Sequence, residues 1–321
     1  MKNISLLELA RKAGVSKTTA SLILNGKSDR YKISSVTKAR VLRVASENGY
    51  KPNILARNLS MGKSMTVGVI MQGLNETESA GLIEGIEKEL SQRNYQVVIG
   101  FTAGNAEKMQ KVFSEMVERR VDGIVYVSPE GEIVEMDSES IPVVSVGYKV
   151  EGMPAVLIDV DAGIRKLIGY WYPRGKRSIG YVGLSTGNDD YKSSYKENYI
   201  ERFSMQGDNM LLLKNENDYD KMKKILSTLT TKGVNAILFE TSGLAYLALK
   251  VVHELKDRDL NDISFGSFGY HPAFDVVGKE VIYVTKPAAA LAEKSISVLF
   301  DLMEGDKPTD NKYVVEPMFS F

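Results

Sequence analysis

The chain has 321 residues, enough for two or three compact units, and no cysteine, which excludes a disulfide framework, a zinc finger or thiol chemistry. Its formal charge is zero, yet residues 1–63 hold thirteen Lys and Arg against Glu8, Asp29 and Glu47, a net of +10, and the rest of the chain carries −10. A basic head suits a polyanion such as DNA, and the acidic body argues against nucleic acid wrapping the whole molecule.

The head begins with Ser5–Lys27, SLLELARKAGVSKTTASLILNGK. Leu6, Leu9, Ala10 and Ala13 fall on one helical stripe, and Ser5 with Glu8 forms an S-x-x-E capping box. Gly14 suits a left-handed helix end, and Ser16 is the expected N-cap of a second helix. That helix should bury Ala20, Ile23 and Leu24 and leave Lys17, Thr18, Ser21 and Asn25 outward. Two helices joined through a glycine turn, the second with a polar and basic face, is the helix-turn-helix pattern. An ordinary helical hairpin is the bland alternative.

A third helix is expected over about Ser34–Asn48, with Val41, Leu42 and Ala45 inward, and Tyr50 and Pro52 stop it. The segment from Pro52 to Lys63 has the length of two helical turns, too short to be stable unless docked.

From Thr66 strands and helices alternate. Strands are expected at 66–71, 96–101, 122–127, 142–147, 155–159, 178–183, 209–213, 234–239, 262–269, 280–285 and 313–317. Helices are expected over 79–93, 105–119, 161–172, 193–206, 218–231, 242–256 and 287–303. Short apolar strands between such helices mean parallel sheets covered on both faces. About 250 residues is too long for one sheet, so two α/β subdomains with a cleft between them are expected. No apolar run is long enough to span a bilayer and no secretory signal follows the first lysine, so a cytoplasmic protein with no membrane partner is expected.

Three sets of residues carry a resemblance. Ala13, Gly14, Val15, Ser16, Thr19 and Ser21 give A-G-V-S-x-x-T-x-S, followed by Asn25-Gly26-Lys27. Tyr50, Pro52, Asn53, Ala56 and Leu59 give Y-x-P-N-x-x-A-x-x-L. Thr66–Ile70 reads T-V-G-V-I. On these motifs the chain resembles the LacI/GalR family of bacterial transcription regulators along essentially its whole length. SKTTASLILNGK and FETSGLAYL look most similar to its fructose and sucrose repressor branch.

The resemblance implies an all-α helix-turn-helix DNA-binding head and an α/β core like a periplasmic sugar-binding protein, built from two parallel-sheet subdomains. Its divisions would be 1–50 for the head, 51–63 for a hinge helix and linker, and 64–321 for an effector-binding and dimerisation core. Three crossings of the chain would give a first subdomain of about 64–159 and 287–309, and a second of about 160–286 and 310–321.

It also implies roles. Lys17, Thr18 and Leu22 would read bases, while Ser16, Ser21 and Asn25 would hold phosphates. Asn53 belongs to the hinge motif, Ala56 would let the hinge helix approach DNA, and Leu59 would wedge into the minor groove. The partners would be double-stranded operator DNA, a small-molecule effector and a second copy of the chain. The chain ends at Phe321 directly after its last expected strand, with no leucine heptad tail, so a dimer rather than a tetramer is expected.

The cleft departs from the family. Sugar-responsive members place an arginine where Tyr195 aligns and an aspartate where His271 aligns, and the usual aromatic is missing from 73–81. Candidate effector contacts are Asn75, Tyr148, Lys149, Asp159, Lys192, Ser193, Tyr195, Glu240 and His271. The effector would be a sugar or a phosphorylated sugar. Loss of a carboxylate beside Lys149 and Lys192 favours the anionic one. No cofactor and no enzymatic activity are expected, since no G-x-G-x-x-G, nucleophile elbow or metal-ligand spacing appears. A cytosolic solute-binding protein of the same core fold is the alternative reading.

Overall fold

A computed structural model describes residues 4–50, 62–74, 77–127, 141–185, 189–202, 209–255, 258–306 and 311–320. The chain divides into two compact units, Met1–Ser64 and Met65–Phe321.

The first unit has three described helices, α1 (Leu6–Lys12), α2 (Lys17–Leu24) and α3 (Ser35–Glu47). Local chemistry sets each start. The expected capping box is present: Glu8 N donates to Ser5 Oγ at 3.2 Å and Ser5 N donates to Glu8 Oε2 at 2.8 Å. Ser16 and Ser34 cap α2 and α3 through the amides of Thr19 and Thr37. The turn after α1 closes with Val15 N donating to Ala10 O at 3.0 Å while Gly14 takes φ +63°. That left-handed position costs a side chain energy that glycine does not incur.

Leu9, Ala10, Ala13, Ala20, Ile23, Val41 and Ala45 form the small core, with Leu24 and Val44 half-buried against it. Leu42 was expected inside but is 44% exposed. Val41, Val44, Ala45 and Asn48 hold the inward stripe, and Leu42 lies one residue, or about 100°, past it.

The second unit holds two six-stranded sheets. The first contains β1 (Thr66–Met71), β2 (Gln96–Phe101), β3 (Gly123–Val127), β4 (Val143–Val146), β5 (Ala155–Ile158) and β11 (Lys312–Val315), in the order β11-β5-β4-β3-β1-β2, all parallel. Helices α4 (Thr77–Gln92), α5 (Ala106–Glu118) and α11 (Ala288–Met303) belong with it.

The second sheet contains β6 (Ile179–Leu184), β7 (Met210–Leu213), β8 (Ala236–Phe239), β9 (Ser264–Phe268), β10 (Val281–Thr285) and β12 (Met318–Ser320). Its order is β12-β10-β9-β8-β6-β7, and only β12 runs antiparallel. Around it lie α6 (Val160–Trp171), α7 (Asp189–Lys196), α8 (Tyr219–Thr231), α9 (Ser242–Leu255) and α10 (Arg258–Asp262). Valine and isoleucine dominate the central strands of the first sheet and Ala-Ile-Leu-Phe makes β8 of the second, all buried along nearly their whole length.

Three elements differ from expectation. The last strand is two strands: β11 pairs with β5 in the first sheet and β12 with β10 in the second. Residues 312–315 therefore belong with the first subdomain, and the third crossing lies at Glu316–Pro317 rather than before 310. Pro317 has no amide hydrogen and breaks the run there. The helix expected at 193–206 starts earlier, at Asp189, and continues as a π turn over Glu197–Arg202. Residues 258–262, partly assigned to a strand, form α10.

Both sheets reverse strand order beside their first strand, between β1 and β3 and between β6 and β8. Ligands of open parallel sheets bind beyond the carboxyl ends of strands at such points. The sheets thereby mark Glu240, the residue after β8, before any side-chain contact is considered.

Candidate functional sites: a DNA-reading helix and a polar cleft

In the head, α2 is held by its buried Ala20 and Ile23 and turns Lys17 and Thr18 outward, both exposed. Ser16 is exposed too, but its Oγ accepts from Thr19 N at 3.0 Å and lies 2.8 Å from Thr19 Oγ1. Asn25 Nδ2 donates back to Ser21 O at 2.9 Å and Ser21 Oγ at 3.3 Å. This bond orders the outer end of the helix and brings two expected phosphate contacts together. Leu22, one turn further along, is half-buried and keeps part of its apolar side chain on the same outer side. Asn53, Ala56 and Leu59 lie outside the described residues, as does Asn75.

The cleft candidates separate into distinct environments. Glu240 is 4% exposed. Its Oε2 accepts from the Tyr181 hydroxyl at 2.6 Å and from Leu184 N at 3.1 Å, so one carboxylate oxygen ties β8 to the end of β6. A side chain on Gly183 would overlap this carboxylate. Burial pushes the Glu240 pKa up. The Tyr181 hydrogen bond, the Leu184 amide and the Lys192 charge oppose that rise, and Glu216 adds to it.

Lys192 has a side chain only 15% exposed and meets Asp189 Oδ1 at 3.2 Å. Glu216 accepts from Thr241 Oγ1, which in turn accepts from Leu244 N at 3.2 Å at the start of α9. Sequence reasoning missed Glu216, Tyr181 and Thr241. Their spacing carries no motif, and only the packing of β6, β8 and α9 assembles them.

His271 caps a short 3-10 turn, Pro272–Asp275, with Nδ1 accepting from Ala273 N at 3.1 Å. Burial lowers its pKa, which favours the neutral ring with its proton on Nε2. The ring stacks on Tyr246, with centroids 4.2 Å apart and planes 11° apart. Tyr246, exposed on α9, is an aromatic face that the sequence reading did not select.

Other candidates are not brought together with these. Tyr195 is fully buried in the second sheet's core, stacked on Tyr199 at 5.2 Å, with its hydroxyl donating to Ile179 O at 2.7 Å. It is a packing residue, so the expectation that it occupies the arginine's place in the cleft is corrected. Asp159 caps α6 through Ala162 N at 2.8 Å. Ser193 and Lys149 are exposed and Tyr148 is half-buried. The cationic grip expected of Lys149 and Lys192 does not form, because Lys192 is engaged by acids and Lys149 faces solvent. Hollows of about 750 Å³ beside β11 and α11 and about 570 Å³ at the start of α5 include none of the candidates.

Two matches decide the family. Residues 5–53 match the bacterial regulatory proteins of the lacI family, and residues 64–188 match the periplasmic binding proteins and sugar binding domain of the LacI family. The chain belongs to the LacI family. Among relatives of the same kind, catabolite control protein A of Staphylococcus xylosus is 24% identical over 327 aligned residues, covering 98% of this chain and 96% of that protein. The catabolite repressor/activator of Escherichia coli K12 is 33% identical over 122 residues, 38% of this chain and 36% of that one. The lac repressor dimer bound to operator and the anti-inducer ONPF has the same fold, with a TM-score of 0.79, 18% identity and coverage of 100% of this chain and 98% of that one. These likenesses do not place the chain in the fructose and sucrose repressor branch. The first match lies within the unit Met1–Ser64 and nearly all of the second within Met65–Phe321, and no described helix is long and apolar enough to cross a membrane.

Proposed function

We propose that this protein is a cytoplasmic, homodimeric transcriptional repressor that binds palindromic operator DNA through residues 1–50. Residues 51–63 act as the hinge, and 64–321 form a core whose cleft takes a small-molecule effector. The observation that carries the reading is the exposed first turn of α2, with Lys17 and Thr18 outward from a well-packed, strongly basic LacI-family head. Lys17 donates to guanine O6 or N7, Thr18 meets a base edge or a thymine methyl, and Leu22 adds an apolar contact. Ser16, Ser21 and Asn25 position the helix on phosphates. Asn53, Ala56 and Leu59 dock the hinge in the minor groove. A two-fold dimer matches a palindromic site by shared symmetry.

The effector is a sugar, in keeping with the sugar-binding family of the core. Glu240 supplies a carboxylate whose two hydrogen bonds both fall on Oε2. Lys192 and the Nε2 of His271 are further polar groups suited to hydroxyl groups. Acids at 216 and 240 disfavour a phosphorylated ligand, which reverses the preference drawn from the lost carboxylate and the lysines at 149 and 192. The effector biases the arrangement of the core, and that arrangement decides whether the paired hinges form on DNA.

Fluorescence anisotropy with operator-like DNA over a range of salt concentrations tests this. Binding that steepens as salt falls, with a preference for a palindrome and light scattering of a dimer, is expected. Salt-independent or absent binding would instead favour a solute-binding protein.

A further inference from the structure

We propose that Glu78 is a clasp that holds the two sheets' subdomains in a closed arrangement by pairing with Lys286. The chain passes between the subdomains at Asp159–Val160, at Lys286–Pro287 and at Glu316–Pro317. Glu78 stands in the first turn of α4, where the helix N-terminus favours a carboxylate. From there it reaches the second of these crossings. Its Oε2 lies 3.7 Å from Lys286 Nζ, and its Oε1 lies 3.5 Å from Lys286 N.

The same carboxylate lies over Gly269, the residue after β9, on the side where Ser242 also approaches. A Cβ on Gly269 would stand 3.3 Å from Glu78 Oε1 and 3.3 Å from Ser242 Oγ, and Gly269 takes φ +90°. One side chain of the first subdomain thus reaches two segments of the second, at Lys286 and at Gly269. The clasp has a firm base, because Gly85 of α4 packs against Ala292 of α11, the helix that begins just after Lys286. The third crossing carries a pair of its own, with Lys166 Nζ 2.6 Å from Glu316 Oε1 and donating to Pro317 O at 3.0 Å. That pair lies within the second subdomain and its exit strand. Of the two, only the Glu78 pair anchors on a helix of the first subdomain.

The pair is partly exposed, with side chains 16% and 36% accessible. A pair of that kind shifts an equilibrium without fixing it, which is what a core that changes arrangement requires. The inference concerns only the core and stands or falls apart from the DNA-binding reading.

The test uses the full chain, whose lack of cysteine permits clean labelling. Cysteines replace the exposed Lys111 on α5 and Lys223 on α8, and paired dyes report the distance between subdomains. Glu78→Gln and Lys286→Gln should each raise the open fraction by about two- to fivefold, and the double variant should match either single one. High salt should open the parent protein and leave both variants unmoved. The swapped pair, Glu78→Lys with Lys286→Glu, should restore the parent distance and covers the case in which a single variant folds poorly. Unchanged distances in Glu78→Gln, additive effects, or a swap that stays open would overturn the proposal.

Discussion

Tyr181 and Glu240 are joined by a hydrogen bond of 2.6 Å between neighbouring strands of the second sheet, with Tyr181 fully buried and Glu240 4% exposed. The bond satisfies a carboxylate that would otherwise carry the desolvation cost of its burial with the Leu184 amide alone. It also fixes a buried carboxylate at the carboxyl end of β8, beside the sheet's switch point.

Removing the donor leaves that carboxylate under-solvated. Tyr181→Phe is expected to destabilise the core by about 1–3 kcal/mol, and by about 1 kcal/mol when Glu240 is already Gln, since a neutral amide needs less support. Urea unfolding of the four proteins closes the cycle. Equal losses in both backgrounds would mean that the tyrosine acts by packing alone.

Glu240 sets a pH dependence. Its pKa is raised in the folded state, chiefly by burial, so the folded protein holds that proton more tightly than the unfolded chain does. The contribution is fully present below the unfolded carboxylate range and is lost as pH rises through the raised pKa. Glu240→Gln should therefore melt at or above the parent temperature at pH 7–8, and this advantage should shrink on acidification toward pH 5. An advantage that grows with acid would reverse the assignment.

Tyr195 is expected to matter for stability and not for ligand. Tyr195→Phe strands the Ile179 carbonyl and should cost about 1 kcal/mol, with effector affinity unchanged. A thermal-shift screen of sugars on both proteins checks it. A selective loss of the ligand-induced shift would return Tyr195 to the cleft.

Lys17→Ala should weaken specific operator binding by about 1–3 kcal/mol and relax preference at one base position in each half-site. Competition against operators substituted one base pair at a time distinguishes this from a phosphate contact. In the phosphate case all sequences would lose affinity together and the salt slope would fall by about one.

The head was legible because its determinants are local. Ser5 with Glu8, Ser16 with Thr19 and Ala10 with Val15 act over three to five residues, a separation at which sequence spacing is spatial distance. The alternation of strands and helices from Thr66 was legible for the same reason, since period fixes element type. The cleft was not. Tyr195 and Lys192 lie three residues apart on one helix, yet one is sealed in the core and the other lies beside Glu240. Nothing in their spacing separates a buried tyrosine from a ligand-facing one.

The sequence by itself determined the caps of α1 and α2, the alternation of strands and helices from Thr66 and the basic, outward face of α2, because hydrogen-bond geometry and hydrophobic period act along the chain. Only the tertiary structure decided that β11 belongs to the first sheet, that Tyr181 anchors Glu240, and that Glu78 meets Lys286. Those contacts join residues 59 to 208 positions apart, and sheet order and close packing, rather than spacing, bring them together.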